Sequence, residues 1–130
     1  MIERTRTDET VISKLIAKAG KDIEASEILF EADSYDWSYN ASYTSILDSM
    51  KAYMNSKGYR STREGGHVAA IDFIKIYDSD LKKYAQRIDR MRRLRHRVTY
   101  DDFDIITETD AENKLIIAKE FLSLVELKLK

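Results

Sequence analysis

Apolar residues recur with helical spacing in four long stretches and one short one, and polar turns separate them. Val11, Ile12, Leu15, Ile16, Ala19, Ile23 and either Ile28 or Leu29 line one face behind Asp8, a good N-cap. They predict a first helix from about Asp8 to Ala32. Asp33-Ser34-Tyr35-Asp36 reads as a turn. Trp37, Tyr39, Tyr43, Ile46, Leu47, Met50, Tyr53 and Met54 then lie on a second helix that runs from about Asp36 to Lys57 and stops at Gly58, a natural C′ residue. Residues 59–66 read as a polar loop. His67 opens a short helix with Ala70, Ile71, Ile74 and Tyr77 inward, and Ser79 is the expected cap of a fourth. Thr109-x-x-Glu112 has the form of a capping box for a last helix from about Asp110 to Leu129, with Leu115, Ile116, Phe121, Leu122, Val125 and Leu129 on its apolar face. No strand alternates over five residues. The pattern predicts an all-α protein, an up-and-down four-helix bundle with an additional short helix, formed by residues 1–130 as one domain.

Composition sharpens this. With no proline, four glycines and 35% charged residues, a chain of 130 residues favours long helices and can bury a core without staples. It has no cysteine, hence no disulfide framework and no thiolate metal site. Its first ten residues are charged and polar, and no run approaches the ~20 apolar residues of a membrane span. We therefore expect a cytoplasmic protein with no membrane contact. The 22 basic and 23 acidic residues nearly balance but are unevenly spread: acids dominate 22–36 and 101–112, bases dominate 82–97. Such a split suggests self-association or an anionic partner.

Most of the unusual chemistry lies in Arg90-Met91-Arg92-Arg93-Leu94-Arg95-His96-Arg97-Val98-Thr99-Tyr100-Asp101-Asp102. On a helical wheel, Leu81, Tyr84, Ile88, Met91 and Val98 fall within about 60° of Arg95. Arg95 thus sits mid-stripe on the face expected to turn inward, with Arg92 on its shoulder, while Arg90, Arg93 and Arg97 point away. A guanidinium on such a seam is costly unless something anionic or polar meets it. Either it snorkels or pairs with a carboxylate of another helix, such as Asp36, Asp48 or Glu112, or it serves an anion site. The basic run 82–97, with Asp89 its single acid, fits a solvated face as well as a nucleic-acid surface. Tyr39 and Tyr43, one turn apart, read as amphipathic aromatics at a core or dimer edge, and His67 as a cap or packing residue.

Several chemistries are excluded by pattern. Two histidines without a His-x-x-x-His pair make no zinc motif, and Asp101, Asp102 and Asp104 lack the glycine and distal glutamate of a calcium loop. Gly65-Gly66 lacks the lysine, the spacing and the preceding strand of a phosphate loop, and no nucleophile elbow is present. What remains is arginine, histidine and tyrosine. That set suits RNA without a metal or other cofactor: arginine stabilises an anionic phosphorane while an imidazole moves the 2′-hydroxyl proton.

The order of motifs resembles the HEPN superfamily of small helical-bundle proteins. The resemblance spans most of the chain: a leading helix, Asp36-Trp37, then Tyr39-Asn40-Ala41-Ser42-Tyr43, Gly66-His67 before a short helix, Arg95-His96-Arg97-Val98-Thr99-Tyr100-Asp101, and a capped last helix. Many members carry an arginine, a polar residue beside it, and a histidine four to six positions beyond the arginine. Those are similar to metal-independent ribonucleases that act as homodimers, and small prokaryotic ones are often encoded beside a nucleotidyltransferase in toxin–antitoxin fashion. The resemblance implies Arg95, His96 and Tyr100 as catalytic positions, Arg92 and Arg97 as RNA-binding ones, and RNA or a nucleotide, a homodimer mate and a nucleotidyltransferase as partners.

Here the chain departs from the pattern, because Tyr100 stands where the histidine is expected. A phenol with a pKa near 10 is about a thousandth ionised at pH 7, so it is a weak base, although it can donate a proton or hold a phosphate. A second register, Arg90 with His96, places its arginine about 140° from the apolar stripe and Met91 in the polar position. Arg95 and Tyr100 are themselves about 140° apart on a regular helix, so joint action calls for a distorted helix end or a second subunit. The rival readings are a non-catalytic module that binds a nucleotide or a nucleotidyltransferase, and a structural bundle whose buried arginine is satisfied.

Overall fold

The computed structural model describes residues 2–62, 66–100 and 105–130, without the side chains of 98–100. In order along the chain come β1 (Ile2–Arg4), α1 (Glu9–Glu31), α2 (Tyr35–Ser56), β2 (Tyr59–Ser61), α3 (Gly66–Tyr77), α4 (Ser79–Tyr100) and α5 (Glu108–Lys128). It is an all-α fold of four long helices and a short one, carrying a small strand pair. Asp8 caps α1 as its type predicts, its carboxylate accepting from the N–H groups of Thr10 and Val11. Asp33, in the left-handed region at φ 61°, reverses the chain so that α2 returns along α1.

α2 is the central helix, packed against every other one. Its residues divide into two stripes roughly 90° apart on the wheel. Tyr39, Tyr43, Ile46, Met50 and Tyr53 bury into the common core with Ile71, Phe73, Ile74, Leu81, Ile88, Met91 and Phe121. Ser38, Ser42, Ser45 and Ser49 form the other stripe, buried with Ala19 and Ser26 of α1. The Ser26 hydroxyl lies 2.8 Å from the Ser42 hydroxyl, Ser38 Oγ donates to the Ser26 carbonyl at 2.9 Å, and Ser45 Oγ donates to the Ala19 carbonyl at 2.9 Å. An unpaired buried hydroxyl costs about 1–3 kcal/mol. Among the described residues no buried side-chain polar atom lacks a partner.

Farther along this seam, buried Asp48 accepts from Lys18 at 2.8 Å, and Lys18 also meets Asp22 at 3.3 Å. Burial first, then hydrogen bonding to Asp48 and its charge, push the Asp22 carboxyl up to about 7 against the opposing pull of Lys18.

Several expectations are corrected. α4 is capped by Asp78, which accepts from the N–H groups of Asp80 and Leu81, and not by Ser79; a carboxylate is the stronger acceptor for first-turn donors. The capping box of α5 joins Thr107 to Asp110, two residues before the predicted pair. Farther along α5, Ile117 is buried in the core and Ile116, expected on the apolar face, is exposed, because the rotation of the helix against α1 and α2 decides which of the two adjacent isoleucines turns inward. Tyr77 is half exposed, its ring stacked on Phe73 at 4.1 Å between centroids. Within the stretch read as a loop, Tyr59–Ser61 pairs antiparallel with Ile2–Arg4. Gly58, at φ 85°, makes the turn, and its carbonyl accepts from Thr5 at 3.0 Å. The polar run expected to end α4 lies outside the described residues.

Replacing Thr107 with alanine should cost about 1 kcal/mol in urea unfolding, whereas Thr109→Ala should change the midpoint little. A raised Asp22 pKa means that the folded chain holds a proton which the unfolded chain releases. Its stabilising contribution is therefore full below about pH 4 and lost as pH rises toward 7. Asp22→Asn should accordingly raise the urea midpoint at pH 8 by more than at pH 4.

Candidate functional site: an arginine held between asparagine, tyrosine and histidine

α2 turns a third face toward α3 and α4. Asn40, Tyr43 and Lys51 fall within about 80° of one another on it. Arg95 comes from α4, where Leu81, Ile88 and Met91 are buried, so the arginine does sit on the inward stripe and is half-buried. Its Nε donates to Asn40 Oδ1 at 2.7 Å, and its guanidinium carbon stands 5.6 Å from the centroid of the Tyr43 ring. Among the described residues no carboxylate pairs with it. Asp48, one candidate, is taken by Lys18, and Asp36 accepts from the Ile106 N–H at 3.4 Å. Neutral groups thus orient Arg95, and its positive charge is retained.

The Tyr43 hydroxyl lies 3.0 Å from Nδ1 of His67, on the first turn of α3, with the rings 5.6 Å apart. Burial pushes the Tyr43 phenol up to about 12, although Arg95 and Arg92 pull the other way, so at neutral pH it is an O–H group. Burial also holds His67 below the usual histidine value, aided by the charges of Arg95, Lys51 and Arg92. A neutral imidazole therefore shares a pocket of positive potential with the guanidinium. Arg92, half-buried, pairs with Asp89 at 3.1 Å; exposed Arg93 meets the same carboxylate at 2.7 Å. With two arginines on it, Asp89 is held below the carboxylate range, burial opposing.

Of the predicted site residues, Arg95 and Arg92 lie at this cluster. His96 and Arg97 are on the exposed side of α4, and the Tyr100 side chain lies outside the described residues. Asn40, Tyr43 and His67 were not among the predicted site residues. They join Arg95 across 55 residues of chain in the first case, while His67 meets Tyr43 across 24. The only signal for them was their presence in the two motifs Tyr39-Asn40-Ala41-Ser42-Tyr43 and Gly66-His67. Among the described residues no three histidine or acidic side chains converge as a metal site would require, and no helix is long and apolar enough to cross a membrane.

The family model of the HEPN domain matches residues 12–128, which take in all five helices almost entirely. The chain belongs to the HEPN domain family. It is similar to a protein of Methanocaldococcus jannaschii named putative toxin MJ0142, with 30% identity over 114 residues that cover 86% of this chain and 77% of the relative. No solved structure matches the chain at comparable stringency. In this HEPN chain the arginine motif of α4 and the Asn-x-x-Tyr pair of α2 meet face to face.

The electrostatic coupling can be read in solution. The His67 imidazole should titrate below 6.5 by NMR, and Arg95→Met should move it back toward that value. In the folded chain the proton is refused until lower pH than in the unfolded chain. This group's contribution to stability is therefore kept above pH 6.5 and lost as pH falls below it.

Proposed function

We propose that this HEPN protein is a homodimeric, toxin-type module that binds RNA at the Arg95 cluster and cleaves it without a metal. The observation that carries the reading is the guanidinium of Arg95, oriented by Asn40 and set over Tyr43 next to a neutral imidazole. Fixing one edge of a guanidinium through Nε leaves its terminal N–H groups directed at a ligand, where they can hold two oxygens of a phosphate. As the 2′-oxygen attacks the adjacent phosphorus, charge grows on those oxygens, and a cation already in place stabilises it without reorganising.

A base must take the 2′-hydroxyl proton as the 2′-oxygen bonds to phosphorus, and an acid must give a proton to the 5′-oxygen as its bond to phosphorus breaks. His67 suits the first role when Nδ1–H donates to Tyr43 Oη and Nε2 keeps its lone pair; its lowered pKa keeps it unprotonated at neutral pH. His96, exposed one residue from Arg95, is the other proton carrier, and Tyr100 a donor or a positioner of phosphate. Arg92 and Arg97 guide the backbone. The basic face of α4 suits a long anion more than a small one.

A second reading, a non-catalytic module that binds a nucleotide or a nucleotidyltransferase partner, is favoured by one feature of the sequence, Tyr100 in place of a histidine. Purified protein incubated with RNA in excess chelator separates the two. Cleavage should be seen, and should fall by ~100-fold or more in folded Arg95→Ala, the usual loss when a group stabilising a developing anion is removed. His67→Ala, His96→Ala and Tyr100→Phe then identify the proton carriers. Clean wild-type protein that leaves RNA intact rules out the catalytic claim and makes partner binding the function.

A further inference from the structure

A second concave site lies where the strand pair meets α1 and the C-terminal part of α2. It is a cavity of about 430 Å³. Three cations from three separate elements stand on its wall: Arg6 from the segment entering α1, Lys51 from α2 and Arg60 from β2. Two carboxylates offset them in part. Asp8 is engaged by the N–H groups of Thr10 and Val11, and Glu3 holds Arg60 through Nε. Val11 and Leu15 supply an apolar wall, Val11 40% exposed there. Asn55 adds a fixed donor. Its Oδ1 accepts from the Asp8 N–H at 2.9 Å, which sets the orientation of the amide, and among the described residues its Nδ2 meets no acceptor.

Apolar wall, oriented amide donor and a rim of cations make three complementary demands on one ligand. It must carry a flat apolar face, an edge acceptor and a phosphate. Lys51 lies on the α2 face that also bears Asn40 and Tyr43, roughly 16 Å along the helix from Asn40 at 1.5 Å per residue, within the reach of a single strand of a few nucleotides. We infer that the cavity is a nucleotide subsite, with the base against Val11 and Leu15, a base-edge acceptor on Asn55 and the phosphate at Arg6, Lys51 and Arg60. The nucleotide comes either from the RNA strand that crosses the Arg95 cluster or from a free nucleoside phosphate. Only the first source rests on the function proposed above.

The test measures the affinity of the full chain for a short labelled single-stranded RNA over a range of salt, and for AMP and ATP. Val11→Asp and Arg6→Ala are compared with Lys21→Ala, which removes a charge elsewhere on α1. These are exposed positions, and folding is verified by circular dichroism. Val11→Asp should weaken binding about tenfold, the scale of losing one base contact. Arg6→Ala should lower the salt slope for RNA by about 0.7, the value of one single-strand phosphate contact. Lys21→Ala should change neither. Loss for RNA assigns the cavity to the strand, and loss for ATP with RNA unchanged assigns it to a free nucleotide; either supports the subsite. The inference is overturned if Val11→Asp and Arg6→Ala bind every probe as wild type does, or if wild type binds none. RNA binding that vanishes in Arg95→Ala but survives both cavity variants leaves the RNA reading standing and removes the subsite.

Discussion

The fold turns on how α2 satisfies its own polar groups. Fourteen of the 22 residues of this helix are buried, and among them are four serines, an aspartate and an asparagine as well as three tyrosines. Each hydroxyl or amide taken out of water has to meet a partner, since the loss of even one is large against the net stability of a small domain. The serine stripe meets this demand by closing on α1, where small side chains let hydroxyls reach the backbone of the facing helix. That contact fixes the rotation of α2 about its axis. Once it is fixed, the tyrosine stripe must fill the core and the face bearing Asn40 and Lys51 must turn toward α3 and α4.

The Arg95 cluster is a consequence of that rotation. An arginine on the inner stripe of α4 would be expensive if it met only methyl groups, and a carboxylate partner would cancel its charge. Asn40 and Tyr43 do neither. The amide takes the Nε–H, and the guanidinium carbon stands 5.6 Å from the Tyr43 ring centroid, so the cation is held by neutral groups with its charge intact. His67 is linked to the same phenol and feels the same field, which keeps it neutral. A cation held in place thus stands next to an unprotonated imidazole. The nearby carboxylates are engaged elsewhere: Asp89 serves Arg92 and Arg93, and Asp48 serves Lys18.

How much of this could be read along the chain depends on the range of the interaction. The helix N-cap at Asp8 and the stop at Gly58 are local, decided by side chains and φ angles within a turn, and they stand as expected. The caps of α4 and α5 lie one and two residues before the expected ones because two acceptable caps stand within a turn of each other in each case, and packing of the following helix chooses between them. The strand pair left no trace, since three residues are too few to alternate. It forms only because Gly58 turns the end of α2 back onto the N-terminal segment.

By itself the sequence determined the helical class, the inward position of Arg95 and the basic face of α4, because periodicity and charge are properties of a single helix. Tertiary structure decided which polar groups are interior and which face one another. Serines to which periodicity gave no role became the α1–α2 seam, and a histidine that read as a cap or packing residue became the neighbour of Tyr43. Among the described residues, Asn40 and not a carboxylate became the partner of Arg95. Each depends on the rotation of one helix against another, and that rotation is set by contacts between helices, the serine seam first, rather than by any residue's neighbours in the chain.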